Sequence, residues 1–202
     1  KLIHVTKDDI KSIKYLFDLM NVKYIQAKGE SDLVCSKLCE TNKVDFVISE
    51  DMDLLTSGTT ILVRDFNNFN NKITIYNLSV ILKILNITYD KWVELCVLFG
   101  CDYVKRINGF GPKKSFKFIK ENKDIQELTS IKSVTLEEDY LEKFKKAKSI
   151  FKIYNMDYLG NIDDIKIDKL FGNQLDTIKK FFSQHTTYTE KQIMNRINNI
   201  YK

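Results

Sequence analysis

The segment at residues 44–49 constrains the fold most, because a short β-branched apolar run there ends directly in a group of acidic residues. Such a run predicts a strand buried on both faces. Helical patterns flank it: Thr6 is a predicted helix cap before residues 7–20, and Gly29 permits a turn into a helix over residues 30–40. Helix, buried strand and helix in alternation predict an α/β fold.

The remaining elements follow from turn and cap signals. Residues 22–26 read as a short strand, and an asparagine-rich loop at 67–71 separates a strand pair at 61–64 and 72–76. Gly100 ends a helix over 90–99, which follows a helix over 78–85, and Pro112 begins another that runs to about 121. Three further helices are expected at 136–155, 170–183 and 189–201, the last with a capping box of Thr189 and Gln192.

Composition excludes some classes of protein. No run of about 18 apolar residues is present, so we expect no membrane span, and no signal peptide opens the chain. The chain begins without methionine, so we expect the natural polypeptide to start upstream. The spacing of Cys35, Cys39, Cys96 and Cys101 misses the usual zinc pattern. Reduced, buried thiols are expected, in a reducing compartment.

Positive charge is concentrated in one segment. The chain carries a formal net charge of +5, and one stretch accounts for all of it: residues 104–123 hold seven basic residues against Glu121, namely Lys105, Arg106, Lys113, Lys114, Lys117, Lys120 and Lys123. Gly109 and Gly111 precede the helix predicted to begin at Pro112, so the backbone there can approach a phosphate closely. A basic helix of this kind favours nucleic acid as the partner.

Acidic residues fall at three places where chain elements begin or end. Glu30 and Asp32 lie at a helix start, Asp51 and Asp53 follow the predicted strand, and Asp102 follows the helix stop at Gly100. Carboxylates that converge need a cation, and hard oxygen ligands suit Mg²⁺ or Mn²⁺. Each group by itself also suits a solvated loop or compensation of a helix dipole, and spacing alone does not make the acids converge.

Four motifs in order settle the choice between these interpretations. AKGESDLVC at 27–35, ISEDMDLLT at 48–56, LFGCDY at 98–103 and INGFGPKK at 107–114 together resemble the internal region of the flap endonuclease and XPG-type nucleases. The resemblance runs from about residue 4 to 128 and continues more weakly to the end. It implies a PIN-like α/β nuclease core, present here as its carboxyl-terminal portion, with a helix–two-turn–helix DNA-binding element and carboxyl-terminal helices.

The resemblance also assigns roles to residues. It implies that Glu30, Asp32, Asp51, Asp53 and Asp102 are catalytic ligands of two Mg²⁺ ions, with Mn²⁺ as a substitute; Glu50 is not expected to be a direct ligand. Asp32 departs from the family by one methylene, because glutamate is commoner there. The family's amino-terminal region supplies two further aspartates and a helical arch, which are not among these residues. We therefore expect the chain alone to cut DNA poorly.

The resemblance divides the chain into a metal-binding α/β region at 1–103 and a helical DNA-binding region at 104–202. It implies that the chain binds duplex DNA with a 5′ flap or 5′ end through the DNA backbone, without reading the base sequence. The residues implied to hold the DNA are Gly109, Gly111, Lys113, Lys114 and Lys117. A potassium ion is implied at the helix–two-turn–helix. The lysines at 113, 117 and 120 are expected to share one helix face. Two other functions stay open: a related 5′→3′ exonuclease, and a non-catalytic module that binds DNA junctions.

The remaining expectations concern protein partners, cellular location, and aromatic and histidine side chains that could be mistaken for functional ones. No sliding-clamp motif is seen, since Gln174, Phe181 and Phe182 have the wrong spacing, and we expect a monomer in the nucleus or at a viral replication site. Trp92, Phe181 and Phe182 are expected in the core, whereas His4 and His185 are not expected to bind a ligand.

Overall fold

A computed structural model describes residues 4–67, 72–132, 134–152 and 175–200. By their contacts the residues form two compact units, Lys1–Gln26 with Asp163–Lys202, and Ala27–Ile162. The elements follow in the order α1 (Lys7–Leu19), α2 (Ser31–Glu40), β1 (Val47–Ile48), α3 (Asp53–Thr56), β2 (Ile61–Asn67), β3 (Lys72–Asn77), α4 (Leu78–Leu85), α5 (Tyr89–Phe99), α6 (Pro112–Lys120), a 3₁₀ helix (Ile125–Ser130), α7 (Tyr140–Lys152), α8 (Leu175–His185) and α9 (Glu190–Ile200).

The first unit packs α1 against the two last helices around a small apolar core. Thr6 caps α1 as predicted: the Asp9 amide donates to the Thr6 hydroxyl at 3.2 Å, and the Asp9 carboxylate accepts the Thr6 amide at 2.7 Å. Thr189 and Gln192 form the predicted capping box at α9. The buried core consists of Leu19, Ile178, Phe181, Ile193 and Ile197.

Two predictions in this unit were wrong or lie partly outside the described residues. Residues 22–26 form no strand, because no described strand lies beside them to complete hydrogen-bonded pairs; Tyr24 instead packs on Phe17 of α1, with ring centroids 6.0 Å apart. The predicted helix at 170–183 is described only from Leu175 and continues to His185. Phe181 is buried as expected, and the ring of His185 lies 4.4 Å from it, whereas residue 174 lies outside the described residues.

A three-stranded sheet forms one part of the second unit. β1 pairs with β2 in parallel, Val47 opposite Leu62, and β2 pairs with β3 antiparallel, Leu62 opposite Tyr76. The predicted loop at 67–71 lies, from residue 68 onward, outside the described residues. The prediction of a buried strand at 44–49 was wrong in length and burial: β1 has two residues, and Ile48 is 50% exposed. Among the described strands only β2 borders β1, so β1 is an edge strand of the described sheet.

The core under the sheet is bound to α5 by two aromatic side chains. Leu54, Leu55, Leu62 and Leu78 form a buried cluster against which Tyr89 and Trp92 pack. The Trp92 indole donates to the Leu55 carbonyl at 3.2 Å, and the Tyr89 hydroxyl donates to the Thr56 carbonyl at 2.8 Å. Trp92 therefore packs against the core as predicted. Its indole also holds the short helix α3, because it hydrogen-bonds to the backbone of that helix at Leu55.

The larger core joins α5, α6 and α7. It runs in sequence from Val93 to Phe151, with Phe144 and Leu128 fully buried, so it holds residues on both sides of position 103. The functional division at 103/104 stays a prediction. The prediction of a long helix over 136–155 was wrong at its start. The Tyr140 amide donates to the Glu137 carbonyl in a turn, so α7 begins only at Tyr140. The predicted end of this helix lies outside the described residues.

Other expectations can be checked directly. Gly100 ends α5 as predicted, with φ of +96°, and a Cβ there would lie 3.0 Å from the Arg106 amide nitrogen. All four cysteines are free thiols, of which Cys39 is buried and the others partly so. Within the ranges described, no helix is long and apolar enough to cross a membrane.

Candidate active site and DNA interface

The five predicted acidic ligands all lie in the second unit, at the ends of its elements. Glu30 is the residue before α2, and Asp32 stands in the first turn of that helix. Asp51 and Asp53 follow β1, with Asp53 as the first residue of α3. Asp102 follows Gly100 in the turn after α5, where the backbones of Cys101 and Val104 pair. The local structure therefore places each acid where a chain element starts or stops.

The charges of these acids act on one another. Burial raises the pKa of Asp32, and the carboxylates of Asp51 and Glu30 raise it further. Burial also raises the pKa of Asp53, with added contributions from Asp51, Asp102 and Asp32. Each of the five acids is thus involved in a common electrostatic neighbourhood. In the described part of the chain none of them forms an ion pair with lysine or arginine, so no described basic side chain neutralises their charge.

The turn between β1 and α3 is held by short-range hydrogen bonds. The Asp51 carboxylate accepts the Asp53 amide at 2.8 Å, and the Asp51 amide donates to the Ser49 hydroxyl at 3.1 Å. Leu54 and Leu55, which follow directly, are buried and anchor the turn to the core. Asp51 therefore keeps one carboxylate oxygen engaged and the other available.

Glu50 has a role that sequence reasoning did not identify. One oxygen of its carboxylate accepts the Asp65 amide at 3.0 Å, and the other lies 3.3 Å from the Arg64 guanidinium. Both partners belong to β2, whose residue Asp65 has a φ of +54°. Glu50 thus ties the acidic turn to the neighbouring strand. Its position inside the motif was the available signal, but its partners are 14 and 15 residues away in sequence and could not be deduced from it.

The donor set suits a hard divalent cation, although the side chains stand apart in this structure. Five carboxylates without a basic partner among the described residues offer oxygen ligands and negative charge, which suit Mg²⁺ and Mn²⁺. Among the described residues, no three acidic, histidine or cysteine side chains are grouped closely enough to hold one ion. The residues therefore fit the implied metals by chemistry and neighbourhood, and their role as ligands stays a prediction.

Tyr103 and the thiols of Cys35, Cys96 and Cys101 lie near the acids, a feature that the sequence did not reveal. Burial raises the pKa of Tyr103, and the charges of Glu30 and Asp102 raise it further. Burial raises the pKa of Cys96 to about 12, with Asp53 contributing, and the pKa of Cys35 is raised by burial and by Asp32. These groups remain protonated at neutral pH and add no negative charge to the site.

The start of α6 has the features of a phosphate-binding backbone. Gly109 has a φ of +70°, and Gly111 precedes Pro112 as the N-cap of α6. A Cβ added at either glycine would meet no heavy atom within 4 Å, so the space beside this turn is open. The first-turn amides of Lys113 and Lys114 have no partner within the helix and face outward from its positive end.

The lysines of α6 differ in how they are engaged. Lys113, Lys114 and Lys117 are exposed, although the Lys114 ammonium donates to the Gly109 carbonyl at 2.7 Å. The ammonium of Lys120 donates to the carbonyls of Leu85 and Asn86 at 3.2 Å each. Lys120 therefore caps the end of α4, which limits its use for DNA. Ile119 and Phe118 are buried beneath this exposed face.

Comparison with known proteins agrees with these features. The XPG I-region family model matches residues 21–102. Flap endonuclease 1 of Enterocytozoon bieneusi is 36% identical over 162 residues, covering 79% of this chain and 44% of that protein. Flap endonuclease 1 of Danio rerio is 31% identical over 209 residues, covering 100% of this chain and 53% of that protein. The chain thus spans about half the length of these curated relatives.

Solved structures show the same fold. A flap endonuclease-1 from Methanococcus jannaschii superposes with a TM-score of 0.78 at 21% identity, over 98% of this chain and 58% of that one. The Holliday junction-resolving enzyme GEN1, solved with product DNA, Mg²⁺ and Mn²⁺, superposes with a TM-score of 0.61 at 17% identity. The superposition covers 89% of this chain and 51% of that one. The fold is that of a PIN-like α/β nuclease core, as predicted.

Fold and motifs together define a nuclease-type domain of the PIN-like class. The chain belongs to the flap endonuclease and XPG-type family. This confirms the resemblance drawn from the four motifs.

Proposed function

We propose that the chain is the metal-binding and DNA-gripping part of a structure-specific 5′ nuclease that hydrolyses phosphodiesters in branched or 5′-ended DNA. The observation that carries this proposal is the shared electrostatic neighbourhood of five unpaired carboxylates in the same compact unit as the open, lysine-bearing start of α6. A phosphodiesterase needs both parts, one for the cations and one for the polyanion.

The proposed ligands are Glu30, Asp32, Asp51, Asp53 and Asp102. Two divalent ions held by these residues would supply an activated water and stabilisation of the leaving oxygen of a phosphodiester. The chain's own residues prepare the site: Glu50 holds the acidic turn against β2, and the Asp53 amide orients Asp51. Tyr103 and the protonated thiols near the acids add no negative charge to the site.

DNA would be held through its backbone at the start of α6. The amides of the first turn and the exposed ammonium groups of Lys113 and Lys117 donate to phosphate without reading bases. A potassium ion at this turn would use its carbonyl oxygens. Since the Gly109 carbonyl already accepts Lys114, such an ion would rely on the other oxygens of the turn.

One observation favours a second candidate, a module that binds junctions without cutting. In the described part of the chain no three potential ligands surround one point, and the family resemblance implies two further aspartates beyond the five named here. Within the catalytic alternative, a 5′→3′ exonuclease preference is equally compatible with the acids. The proposed substrate would place the protein wherever DNA is replicated or repaired, in a nucleus or at a viral replication site.

The test uses a labelled duplex with a 5′ flap and a blunt duplex of the same length and composition. We expect the chain to bind the flap substrate more tightly and to cut it weakly near the junction, only with Mg²⁺ or Mn²⁺. Asp53→Asn should abolish the cutting and keep the binding. Binding without cutting would favour the junction module. Equal binding of both duplexes with no metal-dependent cutting would contradict the proposal.

A further inference from the structure

An asparagine followed directly by glycine occurs once in the chain, at Asn108–Gly109, in the turn before α6. The Phe110 amide donates to the Ile107 carbonyl at 3.1 Å, which closes a tight turn with Asn108 and Gly109 at its two central positions. Ile107 and Phe110 are both buried, whereas the two central residues are exposed. The turn is therefore anchored on both sides, and solvent reaches its tip.

Two groups at this tip that can react with each other are not engaged elsewhere. In the described part of the chain, neither the Asn108 side chain nor the Gly109 amide has a hydrogen-bond partner. A Cβ added at Gly109 would meet no heavy atom within 4 Å, so there is room to bring the Gly109 nitrogen to the side-chain carbonyl carbon of Asn108. The Lys114 ammonium, 2.7 Å from the Gly109 carbonyl oxygen, places positive charge near that nitrogen and favours its deprotonated, nucleophilic form.

Three other exposed asparagines do not combine these conditions. After Asn42 and after Asn86, the amide of the next residue donates to a backbone carbonyl, at 2.9 Å and 3.2 Å respectively. Asn122 is followed by Lys123, whose side chain hinders the approach of its own amide nitrogen to the asparagine. Among these four positions, only Asn108 has a next residue without a side chain and with an unbonded amide.

We propose that Asn108 is a site of spontaneous deamidation. The Gly109 amide nitrogen forms a bond to the side-chain carbonyl carbon of Asn108, and the nitrogen's proton leaves with the side-chain amine as ammonia. A five-membered succinimide ring results. Water then adds to either carbonyl of the ring and reopens it, which yields aspartate or isoaspartate. Water is the only co-reactant, and the net change replaces a neutral amide by a carboxylate.

The new carboxylate would weaken the hold of this turn on DNA, a consequence that rests on the proposed function, whereas the deamidation does not. A negative charge here competes with phosphate for the cations on either side of the turn in sequence. These cations are Lys105, Arg106, Lys113 and Lys114. Isoaspartate also adds a methylene to the main chain, which disturbs the hydrogen bond between Phe110 and Ile107.

The first experiment incubates the chain in warm, mildly alkaline buffer without metal, digests it with trypsin and follows the peptides by mass spectrometry. The peptide at 107–113 should gain the mass of NH replaced by O and separate into aspartate and isoaspartate forms. Its rate should lie within about tenfold of that of the same peptide free in solution, because no described hydrogen bond protects the reacting groups. The peptide at 84–91, which contains Asn86, should stay unchanged. Asn108→Gln should give no product at 107–113, because glutamine would have to close a larger ring, which forms much more slowly.

The second experiment measures the effect of the charge on a flap duplex. Asn108→Asp introduces the carboxylate without the extra methylene, so it should weaken binding about threefold to tenfold at an unchanged melting temperature. The isoaspartate form isolated from the incubated chain should also melt at a lower temperature. Asn42→Asp adds the same charge at an exposed position just after α2, and should change the affinity less than about twofold.

The two experiments fail separately. An unmodified peptide at 107–113, or a rate more than about tenfold below that of the free peptide, would overturn the assignment of Asn108 as a deamidation site. Asn108→Asp that binds the flap duplex as tightly as the wild type would overturn the consequence for DNA. If the wild-type chain binds no flap duplex, the proposed function fails, whereas the mass of the peptide still decides the deamidation.

Discussion

Substitution of Gly111 separates the grip on DNA from the stability of the fold. The residue precedes Pro112 with φ of −79°, a conformation open to any residue, and an added Cβ would meet no protein atom within 4 Å. Alanine there restricts the unfolded chain, which stabilises a protein by about 0.4–1 kcal/mol, but alanine is a poorer N-cap than glycine. The two effects oppose each other, so we expect the free energy of unfolding to change by less than about 1 kcal/mol.

DNA binding should respond far more strongly to the same change. A side chain at Gly111 would stand where a phosphate approaches the first-turn amides of α6. A hydrogen bond to a charged group contributes roughly 1.5–3 kcal/mol, so loss of one such bond weakens binding about tenfold to about a hundredfold. Gly111→Val should weaken DNA binding more than Gly111→Ala does, because the larger valine side chain holds the phosphate farther away. No charge is removed, so the dependence of affinity on salt should keep its slope.

The assay is fluorescence anisotropy with a flap duplex at several salt concentrations, beside thermal unfolding followed by circular dichroism. Gly109→Ala provides a contrast, because its φ of +70° makes any side chain strained by about 1–2 kcal/mol and should lower stability as well. If Gly111→Val binds the duplex like the wild type, no phosphate approaches this turn and DNA must be held elsewhere.

Three other predictions test separate parts of the structure. Lys113→Met with Lys117→Met should weaken binding of all duplex sequences alike and lower the log–log salt slope by about two, with Mn²⁺ affinity unchanged; an unchanged slope would make α6 a solvated surface. Gly100→Ala should lower the free energy of unfolding by roughly 1–3 kcal/mol, measured in urea, because of its φ of +96° and the Arg106 amide 3.0 Å from the new Cβ. Asp90→Asn should lower the melting temperature at pH 7, because the hydrogen bond and ion pair with Lys152 lower the pKa of Asp90. This stability is present above the ordinary aspartate pKa and is lost as pH falls through the lowered one, so the difference from wild type should shrink as pH falls below the ordinary aspartate pKa; a difference that does not change with pH would contradict the assignment.

Local signals predicted much of the fold. Thr6, Thr189 and Gly100 mark helix ends through hydrogen bonds or a positive φ that involve only nearby residues, and the structure confirms all three. The strand pair around the asparagine-rich loop follows from the same kind of reasoning. The order of the four motifs was enough to identify the family, because it preserves positions that the fold brings together.

Features that depend on distant neighbours could not be predicted. The burial of a strand depends on what lies beside it, so the segment at 44–49 gave only a two-residue strand with Ile48 half exposed. Glu50 was expected not to be a direct ligand, and Lys120 to share a helix face with Lys113 and Lys117, but the sequence did not predict that each bonds to an element distant in sequence.

The central claim is that the five carboxylates form a site for divalent cations. Its most direct test is calorimetric titration of the chain with Mn²⁺, comparing wild type with Asp51→Asn plus Asp53→Asn, which keeps the shape of both side chains. Asp45→Asn serves as the control, because Asp45 is an exposed acid near β1 that is not among the five. We predict that the double variant loses most of the binding heat and that the control keeps the wild-type stoichiometry and affinity. Unchanged stoichiometry and affinity in the double variant would contradict the claim.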